Sequence, residues 1–514
     1  MIPHVGIDLG TTFSCMSYID ENGLPVIIKN SESAETTPSV IWFDGKLAYV
    51  GKKANDRKLQ ANAPIYEFVK RDIGKDRVHR YVINSYNYGA CGLSAIILKK
   101  LRIEAFNFFK KKGWLSQEDT LQSLVIPAVI TVPAYFRDKQ RHETRLAGIA
   151  AGFDVIAILN EPTAAALTYG INLDHPQTIL VFDLGGGTFD VTILKIGKGG
   201  QANVITSDGA DQLGGKDWDA IIERYLFNEF EVQTKQEVPD DMGWELQKIA
   251  LDAKFALTEK DQTNIILNAA GESADITLYR QRPVSVNDLS NLVLVDERDD
   301  DKFYFEERAL DKLTLCKTIL LNTLEKADTS WNSLDEIVLA GGSSRMPMIR
   351  KMLEKLSHRT IKQSIPGFNY DTAIAQGAAL YGRNKSRVVD VSSKSIGIEI
   401  KTSKGTIVEH FIKKNSPLPI SISQTIPAEA NAVLKIYEGE EESENPKDWT
   451  LRGKLELGNP SGDVTINLSI DFNGVIFATV EANEIKAQLK IKSDSGDIDA
   501  AELKDMIEKI DVRL

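Results

Sequence analysis

The chain of 514 residues is long enough for about three domains of ordinary size. With 42% hydrophobic and 26% charged residues, its composition is that of a globular protein, which excludes a disordered, collagen-like or disulfide-scaffold chain. Its 61 Lys and Arg against 73 Asp and Glu leave a net charge of −12. A protein of this charge has no global field that attracts phosphate backbones, so nucleic acid is not an expected partner.

Cysteines and apolar runs indicate the compartment. Cys15, Cys91 and Cys316 lie far apart in the sequence, and we expect them to be buried apolar residues of a protein in a reducing compartment. The N-terminus has no basic region followed by a cleavage site, and the longest apolar stretch, 124–133, is about half of the length that spans a bilayer. The sequence therefore predicts a soluble, cytoplasmic protein that does not contact a membrane.

Up to about residue 384, short apolar runs alternate with long amphipathic patterns, which is typical of an α/β fold. The predicted strands include 5–9, 126–132, 179–182 and 337–340, and the predicted helices include 92–111, 137–151, 244–257 and 310–327.

After Asp390 the pattern becomes alternation of period two, which predicts an all-β region. In its clearest stretch, 464–480, four residues are predicted to share one face, and Asn473-Gly474 is predicted to form a hairpin turn. Those four residues are Ile466, Leu468, Ile470 and Phe472. The final stretch, 493–514, predicts one amphipathic helix of about 14 residues.

An internal repeat occurs at 5–12 and 180–188, where an apolar strand is followed by Asp, Leu, a glycine turn and Thr. Each copy continues into a second apolar strand, so each is predicted to form a β-hairpin. If the two hairpins face each other, two phosphate-binding turns and two carboxylates, Asp8 and Asp183, meet in one cleft.

The glycine turns suggest what this cleft binds. Backbone N–H groups exposed in a glycine turn, together with neighbouring hydroxyls, form a cradle for anions. The turns 10–12 and 185–188 are therefore predicted to hold the phosphates of a nucleotide. Carboxylates beside phosphate make sense if Mg²⁺ lies between them, bound through retained waters. A third glycine turn, 341–347, follows a predicted strand and is expected to approach the base or ribose.

Seven strings of the sequence occur in an order typical of one family. They are Gly6-Ile-Asp-Leu-Gly-Thr-Thr12, Val69-Lys-Arg-Asp-Ile-Gly74, Val132-Pro-Ala-Tyr-Phe136, Asn160-Glu-Pro-Thr-Ala-Ala-Ala166, Phe182-Asp-Leu-Gly-Gly-Gly-Thr-Phe-Asp190, Leu213-Gly-Gly215 and Val338-Leu-Ala-Gly-Gly-Ser343. With these strings the chain resembles the seventy-kilodalton heat-shock chaperones of the DnaK type over residues 2–492.

The resemblance implies a division of the chain into four parts. They are a two-lobed, actin-like ATPase domain (1–384), an interdomain linker (385–391), a β-sandwich domain that binds peptide (392–492) and a C-terminal helical stub (493–514).

The resemblance also implies ATP or ADP, Mg²⁺ and K⁺ as cofactors, and it assigns roles to residues by motif. The carboxylates implied to hold Mg²⁺ through water are Asp8, Glu161, Asp183 and Asp190. The residues implied to be catalytic are Lys70, Glu161, Asp183 and Thr188, with Lys70 orienting the attacking water or the γ-phosphate. The residues implied to contact the nucleotide are Gly10, Thr11, Thr12, Gly185, Gly186, Gly187, Gly214, Gly215, Lys254, Thr258, Gly341, Gly342, Ser343, Arg345 and Asp371.

The function that the resemblance implies is that of an ATP-dependent chaperone. Its partners would be extended apolar segments of unfolded polypeptides, a J-domain cochaperone and a nucleotide-exchange factor. An alternative stays open: a divergent ATP-binding regulatory or co-chaperone-like member with little hydrolysis or peptide binding. A small-molecule kinase on the same core is a third hypothesis, but it leaves the β region after Asp390 without a role.

Departures from the family pattern support the alternative. On the helix implied to contact adenosine, Leu251 stands where the family has Glu, and Phe255 follows Lys254. The linker sequence 387–390 is less apolar than in the family, so weaker docking of the linker is expected. Residues Ile398, Ile400 and Ile426 keep apolar character at positions resembling the peptide cleft. However, the loop after Ile426 is shorter and the helical lid is missing, so we expect weak peptide retention.

Overall fold

The computed structural model describes residues 2–59, 63–75, 81–83, 86–170, 175–197, 201–239, 242–282, 302–362, 365, 368–383, 388–402, 405–427, 433–440, 443–456, 463–482, 485–489 and 500–513. They form two α/β units and one β unit. Among the helices of these residues, none combines the length and the apolar character that crossing a membrane requires.

The first α/β unit covers the described residues up to 170. Its strands are β1 (Val5–Asp8), β2 (Phe13–Ile19), β3 (Pro25–Ile28), β4 (Thr37–Pro38), β5 (Ile41–Asp44), β6 (Leu47–Val50), β7 (Ile65–Tyr66), β8 (Tyr81–Ile83), β9 (Tyr86–Tyr88), β10 (Ile126–Val132) and β11 (Phe153–Asn160), and its helices are α1 (Lys52–Asp56), α2 (Ala90–Lys111), α3 (Asp138–Ala150) and α4 (Glu161–Gly170). The main sheet has the order β11-β10-β1-β2-β3, with β4 paired to β2. Strand β1 is antiparallel to β2, which confirms the first predicted hairpin, and parallel to β10.

The second α/β unit follows. Its strands are β12 (Gln177–Leu184), β13 (Phe189–Ile196), β14 (Ala202–Ala210), β15 (Gln262–Ala269), β16 (Glu272–Tyr279), β17 (Phe303–Tyr304), β18 (Glu336–Ala340) and β19 (Val388–Val389), and its helices are α5 (Gly215–Thr234), α6 (Gly243–Glu259), α7 (Phe305–Arg308), α8 (Leu310–Lys326), α9 (Pro347–Ser357) and α10 (Ala373–Arg383). Its main sheet has the order β18-β12-β13-β14-β19. The antiparallel pair β12 and β13 is the second predicted hairpin, and it places Asp183 opposite Asp190.

Helices α4 and α10 connect the two α/β units. Helix α10 packs on α4 and on β1 and β2, while α4 also contacts β12, β13 and β14. A Cβ added to Gly377 of α10 would lie 1.7 Å from Ala164 O, and one added to Gly6 of β1 would lie 2.1 Å from Ala379 N. Because only glycine permits these approaches, the two units are held in close contact at the base of the cleft between them.

The β unit consists of two antiparallel sheets that share one core. Its strands are β20 (Ser395–Thr402), β21 (Gly405–Ile412), β22 (Ile420–Pro427), β23 (Val433–Gly439), β24 (Thr450–Glu456), β25 (Asp463–Ile470), β26 (Ile476–Ala482) and β27 (Ile485–Leu489). The sheet orders are β21-β20-β23-β24 and β22-β25-β26-β27. Ile398 and Ile436 of one sheet are buried in the same cluster as Ile466 and Leu468 of the other.

Alternation along β25 is confirmed for three of the four residues predicted to share a face. Ile466, Leu468 and Ile470 are buried, but the prediction for Phe472 is wrong, since its side chain is 64% exposed. Strand β25 ends at Ile470, and Asp471 N donates to Val475 O at 3.0 Å within the turn that follows. This turn interrupts the period of two and directs Phe472 to solvent.

The β unit is in contact with α3 and with the end of β11. Arg452 Nη2 donates to Asp138 Oδ2 at 3.1 Å, and Ile476 N donates to Asp138 Oδ1 at 2.9 Å. In β11, Ile158 N donates to Asn473 Oδ1 at 3.0 Å. The β unit is therefore docked on the first α/β unit through polar contacts to its backbone and to a buried carboxylate.

Two short segments outside the β unit pack on the α/β units. Strand β19, in the segment predicted to be the linker, pairs in parallel with β14 of the second unit. At the other end, α11 (Ala500–Glu508) and β28 (Asp511–Arg513) pack on the first unit, where β28 pairs in parallel with β6. Of the stretch 493–514, for which the sequence predicts one helix, residues 493–499 lie outside the described residues. Helix α11 ends at Glu508, and the strand after it is not part of that prediction.

Candidate functional site

The two glycine turns of the internal repeat lie against each other. A Cβ added to Gly186 would lie 1.9 Å from Thr12 Oγ1, and one added to Gly187 would lie 2.5 Å from Thr11 Cγ2. Side chains other than hydrogen therefore do not fit at these two positions. The repeats face each other as the sequence predicts, and their Thr hydroxyls and glycine backbones line one cleft.

Hydrogen bonds to its carbonyl oxygens hold the second glycine turn in place. The peptide oxygens of Gly185, Gly186 and Gly187 accept hydrogen bonds at 2.9 Å each from Gly215 N, Lys216 N and Arg71 Nε. Two of these donors belong to the start of α5. Since the N-terminus of a helix carries a partial positive charge, this arrangement places α5 where it favours an anion beside the turn.

Lys70 and Glu161 form an ion pair, and both side chains are buried. Lys70 lies in a short 3₁₀ turn, Val69–Asp72, and the turn is preceded by Phe68 in the left-handed region at φ 56°. An aromatic residue seldom adopts this conformation, which concentrates at functional sites. Glu161 begins α4 directly after β11, so the two charges come from separate elements of the first unit.

Three aspartates surround this ion pair. Burial, followed by the charge of Glu161, raises the pKa of Asp8 to about 7, although Lys70 opposes this shift. The same two causes, in the same order, raise the pKa of Asp183 and of Asp190 well above the usual range. One lysine therefore faces four carboxyl groups, and the raised pKa values indicate that a further cation is needed to keep these carboxyls ionised together.

The unpaired carboxylate oxygens are the test of whether Mg²⁺ fits. Asp183 Oδ2 and Asp190 Oδ2 are buried and have no hydrogen-bond partner, an arrangement that is costly unless a ligand satisfies them. Within the part of the chain that the structure describes, no three His, Cys, Asp or Glu side chains are arranged to ligate one metal ion directly. Two buried carboxylate oxygens without a partner fit a hydrated Mg²⁺, because this ion usually keeps several waters and is bound by one or two carboxylates.

The third glycine turn adjoins the second. A Cβ on Gly341, whose φ is 74°, would lie 2.4 Å from Leu184 O and 2.6 Å from Asp183 Oδ1. A Cβ on Gly215 would lie 2.4 Å from Ser343 Oγ. The predicted phosphate turns and the predicted base or ribose turn thus form one continuous backbone surface, which also includes Gly214, whose Cβ would lie 2.4 Å from Gly187 N.

Four of the predicted nucleotide contacts lie at the edge of this surface. Lys254 Nζ donates to Gly215 O at 3.1 Å and pairs with Asp219 at 2.7 Å. Arg345 and Asp371 form a bidentate pair at 2.9 and 2.8 Å next to Gly342. The Thr258 hydroxyl donates a hydrogen bond to Lys254 O at 3.0 Å, within helix α6.

Sequence reasoning missed two residues that shape the cleft. Arg71 reaches from the first unit to Gly187 O and also pairs with Asp217 at 2.5 Å. Asp217 in turn accepts a hydrogen bond from Gly214 N at 2.8 Å in the first turn of α5. Two sequence signals could have identified them. Arg71 directly follows Lys70, and Asp217 is the third residue of α5, a position where an acidic side chain is typical of a helix start.

Comparison with known proteins shows the family to which the chain is similar. The family model described as Hsp70 protein matches residues 4–512. The chaperone protein DnaK of Halobacterium salinarum is 34% identical over 498 residues, which are 93% of this chain and 73% of that protein. DnaK of Metamycoplasma hominis is 33% identical over 498 residues (93% and 77%), and DnaK of Mycoplasmopsis agalactiae is 32% identical over 526 residues (98% and 81%).

Proposed function

This chain belongs to the Hsp70 family, and from this premise we propose that it is an ATP-dependent chaperone. In this proposal it hydrolyses ATP and uses the reaction to control its binding of extended apolar segments of unfolded polypeptides. The observation that carries the proposal is the contact between the two glycine turns, at Thr12 and Gly186, beside a buried cluster of carboxylates.

We propose that the two α/β units are the lobes of an actin-like ATPase domain, residues 1–384, and that the β unit, 392–492, is a β-sandwich for peptides. The crossing of α4 and α10 between the two main sheets supports the first assignment. The shared core of the two four-stranded sheets supports the second. Residues 385–391 are then the linker, and 493–514 the C-terminal helical segment.

The site residues divide by position. Asp8, Glu161, Asp183 and Asp190 would hold Mg²⁺ through its waters, and the metal, when bound, neutralises charge on the phosphates. Lys70 would stabilise charge that develops on the transferred phosphoryl group, and Thr188, which is buried, would position the attacking water. The hydrolysis would then proceed by positioning and electrostatic stabilisation, with no covalent intermediate.

The β unit supports a limited peptide site. Ile400 and Ile426 pack at the edge of its core and are partly buried, whereas Ile398 is completely buried. In this conformation a peptide can therefore touch the first two but not the third. We propose the cytoplasm as the compartment, and a J-domain cochaperone and a nucleotide-exchange factor as partners, by analogy with the family.

A second candidate function is that of a regulatory ATP-binding protein with little hydrolysis or peptide binding. It is favoured by Phe255, which follows Lys254 on α6 and is 53% exposed, and by the burial of Ile398. An exposed aromatic ring offers a stacking surface for a base, but it offers no hydrogen bond to the ribose.

The experiment that separates the candidates is calorimetric titration with Mg²⁺ and ATP, followed by ATP turnover with and without an unfolded polypeptide. The chaperone proposal expects binding, and turnover that the polypeptide accelerates. Binding with no turnover and no response to polypeptide would instead establish the regulatory function. Absence of nucleotide binding would overturn both.

A further inference from the structure

Residues 500–513 contribute to the hydrophobic core of the first α/β unit. Leu503 and Ile507, one helical turn apart on α11, are buried together with Ile510 and Val512. All four belong to the same cluster as the central strands β1 and β10. Helix α11 packs on α2, where a Cβ built on Gly92 would lie 3.6 Å from Leu503 Cδ1, an ordinary van der Waals distance. This segment is therefore packed as an integral element of the unit.

Polar contacts fix the same segment in a single register. Lys99 Nζ, from α2, donates to Ile507 O at 2.8 Å and to Ile510 O at 2.7 Å. A cation at the C-terminal end of a helix satisfies free carbonyls and complements the helix dipole. Beyond the helix, Val512 pairs with Ala48 in the parallel ladder between β28 and β6.

The segment that precedes the β unit in the chain is attached to the second α/β unit. There the strand Val388–Val389 pairs with Ala202 and Asn203 of β14, in the main sheet of the second unit. The β unit is thus anchored to the second unit where the chain enters it, and to the first unit after the chain leaves it. Relative motion of the two units changes the distance between these anchors.

We infer that residues 500–513 act as a strap that limits how far the β unit can separate from α3. The ten residues 490–499, which connect the β unit to the strap, can reach at most about 36 Å even when fully extended. While the strap is packed, the contact between Asp138 and Arg452 re-forms within one molecule at a high effective concentration. Full separation of the β unit requires release of α11 and β28 or a cut before them.

The test separates the strap from the core role of the same residues. A recognition site for a specific protease is inserted within 490–499, and fluorophores are attached at Lys111→Cys and Lys447→Cys. Both lysines are exposed, whereas the three native cysteines are buried. Energy transfer between the labels then reports docking of the β unit without any nucleotide, so the outcome does not depend on the proposed ATPase activity.

The comparison is made in the native background and with Arg452→Ala, which weakens the docking contact. We expect cleavage to lower energy transfer, most strongly with Arg452→Ala, while the cut segment stays bound in size-exclusion chromatography and the melting temperature is retained. Energy transfer that is unchanged by complete cleavage in both backgrounds would overturn the inference. Dissociation of the cut segment would overturn it as well, because the inference requires residues 500–513 to stay packed on the first α/β unit.

Substitutions on the two faces of α11 provide an independent comparison in the uncut chain. Leu503→Asp places a charge on the buried face, and Lys504→Asp places the same charge on the exposed face. We expect loss of energy transfer for the first and native transfer for the second. Equal transfer in the two variants, with the circular dichroism of both unchanged, would contradict the strap. If Leu503→Asp unfolds the first unit, the protease experiment decides.

Discussion

Arg452 Nη2 donates a hydrogen bond to Asp138 Oδ2 at 3.1 Å, and this contact joins the β unit to helix α3. Only 3% of the Arg452 side chain and 8% of the Asp138 side chain are exposed. Glu438 also faces Arg452, with its Oε2 3.4 Å from Arg452 Nε. Arg452 therefore pairs with two buried carboxylates at the interface between the units, and the buried Arg141 of α3 also interacts with both.

Substituting Arg452 is expected to weaken docking of the β unit. Arg452→Ala removes the cation that pairs directly with the buried Asp138 and Glu438, and breaking a buried pair in this way costs about 3–5 kcal/mol. Energy transfer between labels on α2 and the β unit measures the change. Lys454→Ala, an exposed position on the same strand, is the control. Equal docking in both variants would show that the pair is not part of the docking energy.

Docking is expected to depend on pH through Asp138. Burial raises the pKa of Asp138 from 3.8 to about 6, with Glu438 adding to the shift and Arg452 opposing it. A separated Asp138 returns towards its usual pKa, so between about pH 4 and 6 the docked form holds a proton that the separated form releases. Protonation of Asp138 therefore favours docking as the pH falls from about 7 to 5. Asp138→Asn should remove this part of the pH profile, and an unchanged profile would refute the assignment.

Because the two glycine turns are in contact, alanine substitutions at two neighbouring glycines are expected to differ in their effect on stability. Gly186→Ala brings a methyl group 1.9 Å from Thr12 Oγ1, whereas the Cβ of Gly185→Ala would meet its nearest neighbours at 3.7 Å. Overpacking of this kind costs about 1–3 kcal/mol. The melting temperature of the nucleotide-free protein should fall for Gly186→Ala and stay near native for Gly185→Ala. A similar loss in both variants would indicate a general effect on the turn instead.

Lys70→Ala should abolish ATP turnover and leave nucleotide binding largely intact. Its ammonium group acts mainly on charge that builds up in the transition state, and removal of one such group lowers turnover by about 100-fold or more. Calorimetry and a turnover assay measure the two quantities separately. Lys75→Ala, a partly exposed lysine outside the cluster, is the control. Parallel losses of affinity and turnover would contradict the proposed role.

Extended apolar peptides should bind to the β unit weakly and dissociate quickly, even with ADP bound. Ile400 and Ile426 bury at most two peptide side chains between them, each worth about 1.5–3 kcal/mol when fully desolvated. Because affinity differences between related complexes lie mostly in the dissociation rate, stopped-flow release of a fluorescent peptide is the appropriate measurement. Release over minutes would show that another segment or a partner covers the bound peptide.

Local patterns allowed much of the fold to be predicted. The helices Ala90–Lys111, Gly243–Glu259 and Leu310–Lys326 were each located within two residues, because their apolar periodicity is long and uninterrupted. Both hairpins of the candidate site were predicted for a similar reason, since a strand, an Asp and a glycine turn are consecutive in the sequence. Their mutual contact followed from the repeat.

Features that depend on distant partners were not predicted. The three residues of β28 form a strand only because β6 offers them an edge, and so short a segment carries no periodicity of its own. The same holds for Arg452, which is an ordinary charged residue in the sequence until α3 places Asp138 beside it. Phe472 continued an alternating pattern, but a turn that begins at Asp471 ended the strand first.

Pairing of β28 with β6 has a consequence for synthesis of the chain. About 460 residues separate Val50 from Asp511, so at about 5–20 residues per second the ribosome needs roughly 20–90 s to supply the missing strand. During this interval the edge of β6 and the apolar site of Leu503 are open on the nascent chain, an arrangement that invites pairing with other strands. The first α/β unit therefore begins to fold first but is completed last. During translation, its protection from pairing with other strands depends on what covers the edge of β6.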